Sequence, residues 1–291
     1  MTRMVKRACV VSLVLVLTIL STVAPDDLDK AKPTEIIIIG TLHGSHNTNE
    51  NYSPDHVKRI LLALKLDLIL VELPPTIVGG DGKPHETAEK DGRISKDLLK
   101  AADDFPEFAA TDEAAHDLNV RQVPYDREGR NELYRETKYL ERREQVRASL
   151  DKWCRQLEKD EPEAIALKNY RMLMDAVIAD YHLKMFASPK VINSEAYDRV
   201  TCIKHTIFSN LIPMILAPSS RHKDLVEEIR FITDEMAHRD TIMADNIVRI
   251  AAQFPGKRLA VTTGAEHRYI LRDLLSKKEG IVLKEFWEVL P

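Results

Sequence analysis

The clearest pattern along the chain is Thr34-Glu35-Ile36-Ile37-Ile38-Ile39, a β-branched apolar run with no polar alternation. A strand of that kind is buried on both faces, as strands inside a parallel α/β sheet are. A polar stretch, GTLHGSHNTNENY, follows, and then Ser53 and Pro54 supply an N-cap and a first helical residue. Val57, Ile60, Leu61 and Leu64 recur at helical spacing and predict a helix to about Lys65. Leu66 to Val71, ending in Glu72 and closed by Pro74-Pro75, reads as a second buried strand. Strand, helix and strand together make a βαβ unit.

Residues 77–92 mix Gly, Pro and charge and predict a loop, with a helix over 96–118 that Pro106 interrupts. A third short strand, Asn119 to Tyr125, ends at Asp126-Arg127. Residues 130–253 carry almost no Gly and hold long stretches at helical period, so a largely helical insertion is expected there. Arg258 to Thr263 resumes the buried-strand pattern, Glu266 to Lys277 fits a helix, and Ile281 to Trp287 fits a closing strand. The expected fold is α/β: a single domain over 34–291 with a mainly parallel central sheet of roughly four to six strands, flanking helices and the helical insertion at about 130–253. Ahead of it, Arg3, Lys6 and Arg7 precede the apolar run Ala8–Leu20, which reads as an export signal. Thr22-Val23-Ala24 offers a cleavage site that Pro25 opposes, so residues 1–24 are read as a signal peptide or an N-terminal anchor and 25–33 as a linker. The expected address is exported, periplasmic or extracellular, or membrane-attached through residues 8–24.

Charge changes the picture by exclusion. With 42 Lys and Arg against 46 Asp and Glu, and no basic block, the chain has no surface for tracking a phosphate backbone, and no nucleic-acid partner is expected. Cys9, Cys154 and Cys202 have no CxxC spacing, which removes zinc ribbons and redox dithiols. Cys154 and Cys202 are left either to pair in an oxidising compartment or to remain buried free thiols.

In open α/β sheets ligands bind beyond the carboxyl ends of the strands. The residues there are polar: Gly40-Thr41-Leu42-His43, Glu72, Asp126-Arg127 and Gly264-Ala265-Glu266-His267. A third GxxH, at Gly82 to His85, has no strand in front of it and is accidental. With these residues in place the chain resembles the TraB/GumN/Tiki superfamily, whose relatives include ChaN-type haem-binding proteins and erythromycin-esterase-like enzymes. The likeness covers 34–75, 119–135 and 235–275 and rests on IIIIGTLHGSH, DLILVELPP, Asp126-Arg127, Arg239-Asp240 with Met243-Ala244, and LAVTTGAEHRYILRDLL. His238 stands where an acidic residue often precedes the Arg-Asp pair.

What the resemblance implies is a hydrolase, and in Tiki-type members a divalent-metal peptidase with His43, His267 and Glu72 around Mn, Co or Zn. Two imidazoles and a carboxylate with an open position could lower the pKa of bound water. Asp126 or Glu266 would then act as base, and Arg239 and Arg127 would face the oxyanion, with a peptide or a small ester or amide as substrate. A second reading needs no metal and gives one histidine the part of general base, as in esterase-like relatives. A third is non-catalytic haem or ligand binding. Each residue also has a plainer reading: Asp126 and Arg127 as a buried ion pair, Arg239 as solvated, Glu266 as a first-turn acid. His46 is a possible extra ligand, while His56, His85, His116, His182, His205 and His222 are expected at the surface. Tyr170, Met172, Met174, Tyr181, Met185 and Phe186 are expected to pack in a core rather than to contact haem or peptide.

Overall fold

The computed structural model describes residues 32–75, 105–156 and 164–290. The proposed signal or anchor, nearly all of the linker, the loop 77–92 and the first part of the 96–118 helix lie outside them. Five parallel strands form one sheet: β1 (Thr34–Thr41), β2 (Leu68–Val71), β3 (Arg121–Pro124), β4 (Arg258–Gly264) and β5 (Ile281–Lys284), in the spatial order β3-β2-β4-β1-β5. The last strand is shorter than the expected 281–287, because Glu285 opens a terminal helical turn, Phe286–Val289. β4 sits in the middle, with Ile38 opposite Val261 on one side and Leu70 opposite Val261 on the other.

Alternation along β1 explains its unbroken apolar run. Ile37 and Ile39 point into one layer with Val57 and Leu61 of α1 (Pro54–Ala63) and Ala114 and Ala115 of α2 (Pro106–Leu118). Ile36 and Ile38 point into the opposite layer with Met243, Ile247 and Leu271. Both faces are therefore dry, and all four isoleucines are at most 2% exposed.

Between β3 and β4 the chain is helical: α3 (Arg130–Glu136), α4 (Tyr139–Gln156), α5 (Ala164–Phe186), α6 (Pro189–Ile192), α7 (Glu195–Thr206), a widened π turn at Ile207–Leu211, α8 (Ile212–Leu216) and α9 (Lys223–Ala251). These helices keep a third apolar cluster of their own, including Val146, Leu150, Leu173, Ile212 and Ile229. The 29-residue α9 joins the layers, since Val226, Ile229 and Ile232 belong to the insertion and Met243, Ile247 and Ile250 to the sheet. Arg239 and Asp240 fall where it crosses from one to the other. After β4, α10 (Ala265–Ser276) packs back against the sheet.

Several surface and core expectations change here. His222 is buried, edge-on to Trp153, and His205 is half-buried. Of the aromatic and sulfur-rich stretch in α5, Tyr170 is buried, but Met172, Tyr181 and Phe186 are exposed. Cys154 and Cys202 are both free thiols. No helix among the described residues is long and apolar enough to cross a membrane.

Candidate functional site

The carboxyl ends of β1, β2, β3 and β4 bring His43, Glu72, Asp126 and His267 to one edge of the sheet. Arg239 of α9 reaches into their midst. Its Nη2 donates to Glu72 Oε1 at 2.6 Å and to Asp126 Oδ2 at 2.8 Å. Its Nε donates to Asp126 Oδ1 at 2.9 Å, and its Nη1 to His267 Nε2 at 3.0 Å. The planar fork matches the carboxylate of Asp126 in the bidentate manner that favours Arg over Lys. Asp126 also takes a bond from Arg130.

Glu72 has no free oxygen facing the site. Oε2 accepts from the Thr263 hydroxyl at 2.9 Å and from the Gly264 amide at 2.7 Å, while Oε1 is held by Arg239. Burial alone would raise its pKa, but His267, Arg239, His43 and the Gly264 amide together hold it far below the usual carboxylate range. Glu72 is a fixed anion.

Each histidine is backed by a carboxylate. His267 Nδ1 meets Asp240 Oδ1 at 2.6 Å, across one turn of the α9–α10 contact. Arg239 is a donor only, so its bond to Nε2 belongs to the neutral ring and occupies that lone pair. His43 Nδ1 meets Glu107 Oε1 at 2.6 Å, near the start of α2. Glu107 is 1% exposed and its other oxygen has no hydrogen-bond partner among the described residues, so its negative charge is directed at His43. The His43 side chain is 40% exposed, and its backbone is left-handed at φ 51°, a conformation that costs a non-glycine residue about 1–2 kcal/mol. Gly264 lies directly under the ring: a Cβ there would stand 2.6 Å from His43 Nε2. Gly40 serves a similar end one strand away, admitting Ala265 and the buried Arg268 close to β1.

The site's charge balance explains the histidines. Glu72, Glu107, Asp126 and Asp240 face two guanidiniums, Arg239 and Arg130. Burial lowers the proton affinity of His43, yet the hydrogen bond and charge of Glu107, then the charge of Glu72, raise its pKa above the ordinary 6.5 on balance. At His267 burial is likewise outweighed, by Glu72 and Asp240.

This donor set does not fit a metal held by His43, His267 and Glu72. The cation between the carboxylate and His267 Nε2 is the Arg239 guanidinium, both Glu72 oxygens are committed, and no group of three or more His, Cys, Asp and Glu among the described residues could hold a metal ion. His46 is structural: its Nε2 accepts the Leu42 amide at 2.9 Å and its Nδ1 donates to the Tyr52 carbonyl at 2.6 Å. Two further candidates turn away. Arg127 pairs with Glu235, and the Glu266 carboxylate is taken by Lys184 and Lys204 at 2.6 Å and by His205 at 2.9 Å. Neither is placed to act as base or to meet an oxyanion. Glu107 and Asp240 were absent from the sequence-derived set of site residues. Asp240 had a signal, its place in the Arg239-Asp240 pair, whereas Glu107 had only its position beside Pro106.

Comparison with known proteins adds little. No family model matches the chain, and no curated protein matches it. Among solved structures, a mutant of the erythromycin esterase EreC in its open conformation is similar at 12% identity, with a TM-score of 0.34, over 86% of this chain and 69% of that one.

Proposed function

We propose that the chain is a hydrolase of ester-type bonds that activates water on His43 without a metal. The observation that carries this reading is the buried Glu107 holding His43 Nδ1 at 2.6 Å while Nε2 stands over Gly264 at the sheet edge. A carboxylate behind Nδ1 fixes the tautomer and leaves Nε2 as acceptor, the arrangement a general base needs. Water attacks the carbonyl carbon as Nε2 takes its proton. The resulting imidazolium, stabilised by Glu107, then returns the proton to the departing alkoxide. Arg239 keeps one uncommitted N–H, the second on Nη1, to meet the developing oxyanion, and Glu72, Asp126 and His267 hold the guanidinium in place. Leaving an alkoxide asks less of the acid than leaving an amine, which favours an ester over a peptide.

Protein treated with EDTA and assayed on p-nitrophenyl esters tests the proposal. Hydrolysis is expected to persist without metal, with kcat/KM rising through one ionisation above 6.5, because the base must be neutral and its pKa is raised. Activity that appears only when Mn, Co or Zn is added would refute the mechanism. Gly264→Ala provides a second check. Its methyl group pushes the His43 ring off its seat and away from Glu107, so kcat/KM should fall on the order of a hundredfold while the circular dichroism stays that of the parent. Unchanged activity would mean that the seat over Gly264 is not used.

A further inference from the structure

The helical insertion holds a cavity of about 560 Å³ between α4, the π turn, α9 and α10, walled by Phe208, Ile232, Met236, Ala237 and Ile270. A second cavity, of about 460 Å³, lies behind it along α5, walled by Leu150, Leu173, Met174 and Val177. The two share Arg143, His205, Phe208 and Glu266 as common walls. Each volume falls in the range of small-molecule pockets, and the lining is mainly apolar, as such pockets are. The widened π turn at Ile207–Leu211 contributes Phe208 to both, and π turns recur at functional positions in helices.

The charges along these walls decide what would fit. Glu266 and Asp180 are neutralised inside the protein, Glu266 by Lys184, Lys204 and His205, Asp180 by Lys204 at 3.0 Å, by Lys184 at 3.0 Å and by the Tyr197 hydroxyl. Asp240 is engaged by His267. On α4 two arginines face one carboxylate, so one positive charge is left over. Arg147 makes no hydrogen bond or ion pair with the described residues, and the ionic neighbour of Arg143 is Glu144, at 4.0 Å. One helical turn apart, the two guanidiniums stand on the same face of α4 at the rim of the cavities.

We propose that the paired cavities bind an apolar small molecule bearing one carboxylate, a fatty-acid-like amphiphile, with its chain in the insertion and its head between Arg143 and Arg147. A guanidinium pair suits a planar carboxylate, and an unpaired cation beside a dry wall is what such a head group would meet. His267 and Asp240 line the first cavity, which therefore borders the candidate site. The binding itself does not rest on the hydrolase reading.

Dodecanoate, dodecanol and dodecylammonium titrated calorimetrically into the full chain below their micelle concentrations provide the test. Dodecanoate is expected to bind saturably at one per chain, and dodecanol and dodecylammonium roughly tenfold or more weaker. The double variant Arg143→Gln, Arg147→Gln should bind dodecanoate no better than dodecanol. Ala237→Trp, at an exposed wall position, should fill the first cavity and weaken binding of all three with its circular dichroism unchanged. His43→Gln, which lies outside both cavities, should bind dodecanoate as the parent does, so a failure of the hydrolase reading leaves this result untouched. Absent or non-saturating dodecanoate binding, equal binding of dodecylammonium, or affinity unchanged in the arginine double variant would each overturn the proposal.

Discussion

Replacing Arg239 by Met is expected to lower the free energy of unfolding by about 3–5 kcal/mol, as loss of one partner from a buried ion network does. The side chain is 7% exposed and satisfies Glu72, Asp126 and His267 together, so its removal leaves the buried Glu72 without its cation and Asp126 with Arg130 alone. Against a total stability of about 5–15 kcal/mol, the variant would be marginal. Urea unfolding measures the loss, and its pH dependence identifies the cause. Glu72 has a depressed pKa in the folded protein, so its contribution is complete above its unfolded value of about 4.5 and fades as the pH falls below that. The gap between parent and variant should therefore narrow in acid. Arg239→Lys, which keeps a charge but loses the fork, should recover only part of the loss. A variant as stable as the parent at neutral pH would show that the network contributes nothing to the fold.

His43→Gln is expected to reduce ester hydrolysis on the order of a thousandfold, within the range that a positioned general base supplies. Stability should change little, because the ring is 40% exposed and Gln retains an N–H able to face Glu107. The rising limb of the pH profile should disappear with the activity. Comparison of kcat with KM sharpens the test: His43 binds no part of the substrate that stays unchanged through the reaction, so the loss should fall on kcat. Retained activity would move the base elsewhere and discard the His43–Glu107 pair.

The strand ends were readable because polar residues directly after dry β-branched runs have few other reasons to be there. His43, Glu72, Asp126 and His267 all follow from that pattern, as does the parallel sheet. What could not be read is what each side chain meets. The stretch around Arg239, TDEMAHRD, looks solvated on any helix, and Arg239 and Asp240 within it are buried only because α9 leaves the insertion and enters the sheet layer at that turn. The same holds for the proposed metal ligands: three ligand types at three strand ends say nothing of a guanidinium arriving from a helix more than a hundred residues after Asp126. Glu107 was hidden by sequence distance, 64 residues from His43, with no periodic feature to mark it.

The position of β4 has a consequence for how the molecule assembles. Among the described residues β1 pairs with β4 and β5, and β2 with β3 and β4, so β1 and β2 do not pair with each other. On an emerging chain β1 has none of its described partners, and β2 has β3 alone among its own, until Arg258–Gly264 leaves the ribosome. The central strand is made after β1, β2 and β3, across connections long enough to make closure slow. Throughout that interval the isoleucine strand presents open edges of the kind that pair with other chains.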